Sequence, residues 1–600
     1  MLDSNISVLS DRNSFDMTTQ TPGFNSTIPV QQSFNELTVG TMSSAAASQG
    51  LQASYYTGSN FSQLQATRVD SRVDFNWAEG SPTASIGADN FAVRWAGTIQ
   101  PQYSEIYTFY TNADDGVRLW VNGQLLIDNW TDHAVTENSG VISLQALQNY
   151  DIKLEYYERS GAASCQLLWS SGSQTKEIIP PTYLSPTGPD VVTAANEPAK
   201  RAATFIDSIG FNTHLHYYDT AYGDFSLIQQ RLQEAGIQHI RDGGSDPTWV
   251  QRINQLGNEG IKTTVVLDPN IGVGPDASYD IKSPGYQVLE FVKNIIPDGT
   301  EAVEILNEFD VWYQSGYSRN GQPVTSDNWI AYLRDFTRDT YNFINSDPAT
   351  QDIAVIGPSF VYPDSSQAVG DLSQWVDYGN MHPYNYPSYP GNGNLNQEMS
   401  TRSLPFNRRP MIATEAGYHT ANVTNDRSVS EAVQGKYIPR VFLNNFNQGI
   451  YRTFSYELID QKLRPNDGEA NFGILRYDGS PKPAFTAVKN LIQLLDDTEA
   501  NFTPGSLNYR LSGNTNYIQH TLLQKQNGDF YLVLWLEVPS TDQANSHQVT
   551  LTLNTAIEQA TTYLPNESAN AIAQFTSPTQ LTLTVPDSPL IVKLTPQSTT

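Results

Sequence analysis

The sequence is poor in cysteine and in positive charge, and it has no long hydrophobic run. Its 600 residues contain one cysteine, Cys165, which excludes an intramolecular disulfide framework and a cysteine-rich metal site. No apolar segment approaches the roughly 18 residues of a membrane-spanning helix. The 34 Lys and Arg are outnumbered by 62 Asp and Glu, for a net charge of −28. This balance argues against nucleic acid or an anionic membrane as the main partner, because phosphate binding needs clustered basic residues.

The amino terminus also lacks expected features. Its first residues, MLDSNISVLSDRNSF, have neither the basic nor the apolar segment of a standard secretory signal peptide. Residues 1–50 are rich in Ser, Thr, Asn and Gln and poor in aromatic residues. This composition predicts a disordered leader.

Turn and periodicity signals divide the rest of the chain into three folded regions. Residues 51–186 alternate apolar and polar residues and break at Asp-Gly and Asn-Gly pairs, which predicts hairpins of an antiparallel β-sandwich. Residues 187–200 are rich in Pro, Gly and small residues and are predicted to be a linker. Residues 501–600 again alternate in short runs such as QVTLTLN, which predicts a second, C-terminal β-sandwich.

Residues 201–500 alternate short strands with helical patterns. We count eight β/α units, which favours an α/β fold of the (β/α)8 (TIM) barrel type over an open doubly wound sheet. The first unit has no glycine-rich phosphate loop, which argues against dinucleotide binding. The candidate strands are 211–218, 238–244, 262–269, 302–308, 353–359, 378–384, 411–418 and 451–460.

The ends of these candidate strands are unusually polar. In a (β/α)8 barrel the active site is built at the C-terminal ends of the strands. Desolvating so many titratable groups costs free energy unless they are paired or bind a ligand. The residues at these ends are His214, His216, Arg241, Asp242, Asp268, Asn307, Glu308, His382, Tyr384, Glu415, Tyr456 and Glu457.

Glu308 and Glu415 end strands four and seven and should face each other across the barrel mouth. Two such carboxyl groups can cleave a glycosidic bond, one as proton donor and the other as nucleophile or base. Asn307 could bind the sugar 2-hydroxyl, and Arg241 could keep the nucleophile ionised. The alternative from these residues alone is a salt-bridge network at the rim.

The segments ILNEFD (305–310) and IATEAGYH (412–419) resemble the acid/base and nucleophile strands of clan A retaining glycoside hydrolases, the cellulase-, mannanase- and xylosidase-like superfamily. The resemblance covers about 300 residues of this chain. It implies Glu308 as acid/base and Glu415 as nucleophile, without a cofactor. It also implies that Arg241 is the strand-two arginine of the clan, and that His382 and Tyr384 occupy its strand-six positions near the nucleophile.

The sequence departs from the clan at strand eight, where many members carry a sugar-stacking Trp. Here Tyr456 either takes the stacking role or the subsite is built differently. Glu457 is interpreted as a partner for a sugar hydroxyl or a salt bridge, with a catalytic role as the alternative. His214 and His216, two residues apart on one strand face, are interpreted as sugar-binding or structural histidines rather than metal ligands.

Aromatic residues after the strand ends suit a sugar ligand, because a ring can cover the apolar C–H face of a pyranose. Ordinary packing in loops and core is the alternative for each of them. They are Tyr217, Tyr218, Trp249, Trp312, Tyr313, Tyr386 and Tyr418.

The first folded region, with motifs such as DNFAVRWAG and YTFYTNADDGVRLWVNGQLLIDNW, resembles a PA14 domain. In sugar-binding PA14 domains an adjacent Asp-Asp pair coordinates calcium, which chelates sugar hydroxyls. Asp114 and Asp115 match that pair by position, and calcium favours such hard oxygen ligands. Asp-Asp-Gly is also an ordinary turn sequence, so a structural turn in a spacer domain is the alternative.

Together these features predict a retaining glycoside hydrolase that cleaves a β-linked oligo- or polysaccharide. A non-catalytic carbohydrate-binding or adhesion protein, with the barrel as a scaffold, is the alternative, and transglycosylation on the same residues is a third. We expect action outside the cell or at its surface, although no signal peptide is recognisable.

Overall fold

The computed structural model describes residues 49–597 except 60, 62, 147, 149, 187–190, 268–271, 281–285, 296–298, 386–387, 393, 424–427, 498–500 and 516. The predicted leader therefore lies outside the described residues apart from its last two, and so do Asp268 and Tyr386. Within the described part of the chain, no helix is long and apolar enough to cross a membrane.

The region after residue 50 folds as a sandwich of two antiparallel sheets, as predicted. Every second residue of Ala163–Ser170 is buried, and Cys165 on this strand is fully buried in a core that also holds Trp95 and Trp169. The first sheet contains Leu51–Thr57, Gln63–Asp70, Phe91–Ile99, Val117–Val121, Gln124–Asn129, Tyr150–Glu158 and Leu184–Pro186. The second contains Asp74–Ala78, Glu105–Asp114, Thr136–Leu144, Ala163–Ser170 and Glu177–Ile178.

The central region is the predicted (β/α)8 barrel. Its strands are β1 (Ile209–Asn212), β2 (His239–Asp242), β3 (Lys262–Val266), β4 (Thr300–Glu304), β5 (Ala354–Ile356), β6 (Gly379–Met381), β7 (Met411–Ala416) and β8 (Arg452–Ser455). All the strand pairings are parallel, in the order β5-β4-β3-β2-β1-β8-β7-β6. A parallel bridge between Ile356 and Tyr378 joins the two outer strands and closes the barrel.

Local sequence signals fix where several barrel helices begin. The side chains of Asp224, Asp246 and Ser430 each accept a hydrogen bond from a backbone N–H of the first turn. The α-helices are Ala202–Asp207, Phe225–Ala235, Pro247–Gly257, Phe309–Trp312, Trp329–Ser346, Pro363–Val369, Asn394–Arg402, Glu431–Asn447 and Pro483–Leu495, and β3 is followed by the 3-10 helix Leu289–Asn294. Short strands in the loops are Val273–Gly274, Tyr279–Asp280, Gln287–Val288, Ser318–Arg319 and Gln322–Pro323.

The C-terminal sandwich begins before the barrel in sequence. Residues 191–198, predicted to be part of a linker, form a strand that pairs antiparallel with Ser506–Gly513. This strand therefore belongs to the C-terminal sandwich. We propose that the other domain boundaries are those predicted from the sequence. One sheet contains Val191–Pro198, Ser506–Gly513, Ser546–Leu553 and Gln580–Pro586; the other contains Lys200–Arg201, Ile518–Gln524, Phe530–Leu536, Ile557–Tyr563, Ala571–Thr576 and Leu590–Pro596.

Buried ionic and aromatic contacts join the three regions. Arg440, on a barrel helix, is fully buried and pairs with Glu537 of the C-terminal sandwich. Trp120 of the first sandwich meets Tyr517 of the C-terminal sandwich edge to face, with ring centroids 6.2 Å apart. The C-terminal sandwich therefore contacts both the barrel and the first sandwich.

Candidate active site

A cavity of about 660 Å³ lies at the C-terminal ends of the barrel strands. Most of the predicted barrel residues line it: His214, His216, Arg241, Asn307, Glu308, Tyr384, Glu415 and Tyr456. His382 and Glu457 are not among its lining residues. The lining residues that we did not single out from the sequence as ligands include Asn212, Glu469 and Phe472.

Glu308 and Glu415 face each other in this cavity with His382 between them. One carboxylate oxygen of each glutamate and a ring nitrogen of His382 all lie within 4.8 Å of one another. The Glu308 side chain is 24% exposed and the Glu415 side chain 12% exposed. Two carboxyl groups at about 5–5.5 Å suit nucleophilic attack on a sugar, whereas inverting sites hold them about 6.5–9.5 Å apart.

Arg241 is held by five acceptors, one for each N–H of its guanidinium group. Two N–H groups form a fork on Glu304 at 2.5 and 2.8 Å. The others donate to Glu415 at 2.8 Å, to Asn307 at 2.7 Å and to Asn212 at 2.8 Å. This fully used fork fixes Glu415 and Asn307 relative to each other and leaves Arg241 no donor for a ligand.

Glu304, the last residue of β4, anchors this arrangement from below. It is fully buried, and it accepts a hydrogen bond from Asn380 Nδ2 at 3.1 Å and one from the Thr414 hydroxyl at 3.2 Å. Side chains alternate across a strand, so Glu304, Asn380 and Thr414 can all point into the barrel from neighbouring strands. Glu304 is thus the partner that orients Arg241.

The surroundings of Glu415 favour its ionised form. Burial alone would raise the pKa of this carboxyl group. The charges of His382 and Arg241 and the hydrogen bonds from Tyr384 and Arg241 outweigh burial, so the pKa of Glu415 lies below its ordinary value. The Tyr384 hydroxyl donates to the second Glu415 oxygen at 2.8 Å. An ionised carboxylate in this position can act as a nucleophile.

His382 contacts both glutamates through one ring nitrogen. Its Nδ1 lies 2.9 Å from Glu308 and 3.7 Å from Glu415, and its Nε2 lies 3.0 Å from the Thr414 hydroxyl. Burial lowers the pKa of His382, but the two neighbouring carboxylates outweigh it and raise that pKa above its ordinary value. The raised pKa of His382 therefore depends on the charges of both glutamates.

Glu308 lies four residues beyond the end of β4, at the start of a short helix. Its backbone is left-handed, with φ 45°, an uncommon conformation for a residue other than glycine. Its N–H donates to the Ser359 hydroxyl at 3.0 Å, which helps to hold this turn. The turn brings Asn307 and Glu308 side by side into the cavity, although the sequence predicted that both belong to the strand.

His214 and His216 do not share a strand face, contrary to the prediction, because β1 ends at Asn212 and both follow in a turn. His214 stacks on Tyr217 with ring centroids 4.7 Å apart. Burial lowers the pKa of His214 to about 4, so this ring is neutral at neutral pH. His214 Nε2 lies 3.4 Å from Glu457 Oε2, and His216 Nδ1 lies 3.7 Å from Asp242 Oδ1, so both buried nitrogens face buried carboxylates.

Tyr456 and Glu457 lie just after β8 and have different surroundings. Tyr456 reaches the cavity, and its hydroxyl donates to Glu469. Glu457 is fully buried and accepts hydrogen bonds from Tyr222 at 3.0 Å and from Gln461 at 3.2 Å. Burial raises the pKa of Glu457 well above its ordinary value. This position fits a buried structural partner better than a sugar ligand.

Only some of the candidate aromatic residues reach the cavity. Tyr217 and Trp312 line it and are 36% and 51% exposed. Trp249 and Tyr418 are buried in the barrel, with at most 1% of their surface exposed, and Trp249 donates to Asp242 at 2.9 Å. Trp249 and Tyr418 are therefore ordinary core residues, the alternative given above, whereas Tyr217 and Trp312 can stack on a sugar.

The first sandwich carries a second cluster of carboxylates at Asp114, Asp115 and Glu158. One oxygen from each lies within 4.8 Å of the others. Asp115 also accepts backbone N–H bonds from His133 at 3.0 Å and Arg159 at 2.8 Å, so it holds two loops together. Burial and the charges of both aspartates raise the pKa of Glu158 to about 7, and its Oε1 is buried without a hydrogen-bond partner among the described residues. This donor set fits a hard divalent cation.

A comparison with known protein families agrees with the fold of the first sandwich. Residues 47–183 match the family model of the PA14 domain. The anti-sigma-I factor RsgI3 of Acetivibrio thermocellus is 42% identical over 228 residues, which cover 35% of this chain and 35% of that protein. The protective antigen of Bacillus anthracis is 28% identical over 142 residues, which cover 23% of this chain and 18% of that protein.

A solved structure of a family 39 glycoside hydrolase from Bacteroides cellulosilyticus WH2 aligns with 83% of this chain and 97% of its own, at 14% identity and a TM-score of 0.44. The chain spans about a third or less of the length of the two curated relatives it matches. The chain therefore carries a PA14 domain, ahead of a (β/α)8 barrel and a C-terminal β-sandwich.

Proposed function

We propose that the barrel is a retaining glycoside hydrolase that cleaves β-linked oligo- or polysaccharides. The observation that carries this proposal is the opposed pair Glu308 and Glu415, with oxygens within 4.8 Å of each other in a cavity of about 660 Å³. A cavity of that volume accommodates a sugar ring. Polysaccharides of this kind lie outside cells, so we infer that the protein acts there.

The chemistry follows a double displacement. Glu415, kept ionised by Arg241 and Tyr384, attacks the anomeric carbon, and the bond from that carbon to the leaving oxygen breaks. Glu308 gives its proton to the leaving oxygen. A water then loses a proton to Glu308 and attacks the anomeric carbon, which releases Glu415 and a sugar of unchanged anomeric configuration. Asn307, whose carbonyl oxygen is taken by Arg241, offers its amide nitrogen to the sugar 2-hydroxyl.

The test is the release of reducing sugar from β-glucans, mannans, xylans and galactans by wild type and Glu415→Gln. We expect release by wild type and a loss of more than about 10⁴-fold in the mutant, since its amide cannot act as nucleophile. Equal release by both would refute the role of Glu415. If neither folded protein releases sugar, a non-catalytic binding protein is favoured. Binding of the protein to the same insoluble polysaccharides in a pull-down would then reveal that function.

A second function is favoured by the unpartnered Glu158 oxygen: the PA14 domain binds Ca²⁺ and through it sugar hydroxyls. Asp114, Asp115 and Glu158 would hold the ion, and the ion would relieve the repulsion among these carboxylates. Calorimetry with CaCl₂ alone should detect binding that Asp114→Asn abolishes, while MgCl₂ should bind more weakly. If calorimetry detects no heat of Ca²⁺ binding to the wild type, the three carboxylates form a structural turn and not a calcium site.

A further inference from the structure

The charges around the active-site cavity are unbalanced. Five carboxylates lie in or directly beneath it: Asp242, Glu304, Glu308, Glu415 and Glu469. Among the described residues that line the cavity, Arg241 is the only Lys or Arg, and all five of its N–H groups already have acceptors. His214 is neutral because burial lowers its pKa to about 4. His216 faces the buried carboxylate of Asp242, with Nδ1 3.7 Å from Oδ1.

Glu469 is the carboxylate that the proposed mechanism does not use. It begins a 3-10 helix, Glu469–Asn471, in the loop after β8, and its side chain lines the cavity. The Tyr456 hydroxyl is its one side-chain partner among the described residues and takes only one of its oxygens. The residue is exposed, but desolvation in the cavity raises its pKa, and the nearby charges of Glu415 and Glu308 raise it further against the Tyr456 bond. Glu469 lines the same cavity as both glutamates and can therefore contact the same sugar.

We propose that Glu469 is a specificity-determining residue that selects uncharged sugars over uronic acids. Its free oxygen accepts a hydrogen bond from a sugar hydroxyl, and its charge repels a carboxylate on the sugar. A uronate would enter a site whose single guanidinium group is already fully bonded, so its desolvated charge would have no partner. This inference rests on the proposed glycosidase function and adds the substrate class to it.

The test compares each panel polysaccharide with the same polymer after its C6 hydroxyls are oxidised to carboxylates; xylan, which lacks C6, is paired with glucuronoxylan. Reducing-sugar release is measured for wild type, Glu469→Gln, Glu469→Asp and Asp467→Asn. Asp467 lies on the same loop but does not line the cavity, and an asparagine keeps the acceptor for the Glu469 N–H. The control therefore removes a neighbouring charge without touching the cavity.

We expect oxidation to lower the wild-type rate by about 100-fold, because an unpaired like charge costs several kcal/mol in such a site. Glu469→Gln should reduce that penalty to about tenfold or less and lower the rate on the unoxidised polymer, since it removes the repulsion and alters the hydroxyl contact. Glu469→Asp, which keeps the charge, and Asp467→Asn should both retain the wild-type penalty.

Each outcome decides a different claim. If wild type cleaves the oxidised and unoxidised polymers equally, or if Glu469→Gln keeps the full penalty while circular dichroism shows it folded, the role of Glu469 is refuted and the glycosidase stands. If Glu469→Gln is unfolded, Glu469→Ala is measured in its place, and a full penalty retained by that folded variant refutes the role of Glu469. If wild type releases sugar from no polymer, the proposed function falls and this inference falls with it.

Discussion

The two ends of the barrel each hold a buried cluster of arginine, histidine and carboxylates, and only one of them is suited to chemistry. At the N-terminal end, Arg452 pairs with Asp207 at 3.0 Å and with Glu301 at 2.8 Å. His239 lies between the same two carboxylates, 3.1 Å from Asp207 and 2.9 Å from Glu301. Two basic and two acidic side chains thus pair reciprocally at the first residues of β2 and β8.

The C-terminal end has the same residue types in a different ratio. Three carboxylates, Glu304, Glu308 and Glu415, share Arg241 and His382. Glu308 and Glu415 border a cavity of about 660 Å³ that Asp242 and Glu469 also line. Buried polar groups without partners are costly, so they persist where a ligand uses them. The comparison teaches that residue type alone does not mark an active site; the excess of acceptors beside open space does.

Matched amide substitutions at the two ends should break this comparison most strongly. Glu415→Gln should lower activity by more than about 10⁴-fold while leaving thermal stability nearly unchanged. Glu301→Gln should keep kcat/KM within a few-fold but cost about 3 kcal/mol of unfolding free energy, because it leaves Arg452 and His239 with too little negative charge. Steady-state kinetics and urea unfolding of both variants check this. If Glu415→Gln alone lost much stability, the cluster of Arg241, His382 and carboxylates at the C-terminal end (the upper cluster) would have a structural role; the cluster of Arg452, His239, Asp207 and Glu301 at the N-terminal end is the lower cluster.

The roles within the upper cluster can be separated by the leaving group. Glu308→Ala should lower kcat/KM by about 10²–10⁴-fold on substrates with a poor leaving group, which needs a proton. On dinitrophenyl glycosides, whose leaving group departs as an anion, the loss in bond cleavage should be much smaller. Sodium azide should restore turnover of Glu308→Ala by taking the space of the lost carboxylate. An equal loss on both substrate types would contradict the proton-donor role of Glu308.

The sequence predicts the fold well because periodicity and turn signals are local. Each of the eight candidate strands overlaps an observed barrel strand, and the two sandwiches follow their alternating segments. Residues 191–198 were predicted wrongly, because their Pro and small residues mask a strand whose pairing partner lies more than 300 residues away. Long-range pairing of this kind leaves no local signal.

The site is predicted only where a strand end fixes the position of a residue. Arg241 and Glu415 lie on β2 and β7, and Tyr384 and Glu308 follow the ends of β6 and β4 by three and four residues, so all four meet at one end of the barrel. Glu469 was missed because it comes from a long loop, whose path composition does not define. Glu457 is adjacent to Tyr456 in sequence yet points into a buried pocket of Tyr222 and Gln461, a direction that depends on packing rather than spacing.

Removing one of the hydrogen-bond donors to Glu415 should test how the C-terminal cluster keeps that carboxylate ionised. Tyr384→Phe deletes a hydrogen bond that lowers the pKa of Glu415, so that pKa should rise. Activity requires ionised Glu415 and is lost as the pH falls through its pKa, so the acidic limb of the pH–rate profile should move toward neutral pH. A charged hydrogen bond is worth about 1.5–3 kcal/mol, so kcat/KM at neutral pH should fall roughly tenfold or more. If the acidic limb of the pH–rate profile does not move, that limb reports the ionisation of a group other than Glu415.

The smallest expected effect belongs to the lower cluster and appears only as stability. Burial opposes ionisation of Asp207, but hydrogen bonds and charges from His239 and Arg452 lower its pKa from 3.8 to about 2. A carboxyl whose pKa is lower in the folded state stabilises the protein above its unfolded pKa, and that stabilisation is lost as the pH falls through the folded value. The Asp207 side chain is 49% exposed, so solvent screening should limit its share to about 1 kcal/mol. Urea unfolding of Asp207→Asn should therefore show a deficit of that size near neutral pH, which shrinks between about pH 4 and pH 2. A deficit that is the same at both ends of this range would show that the pairing of Asp207 does not contribute through its charge.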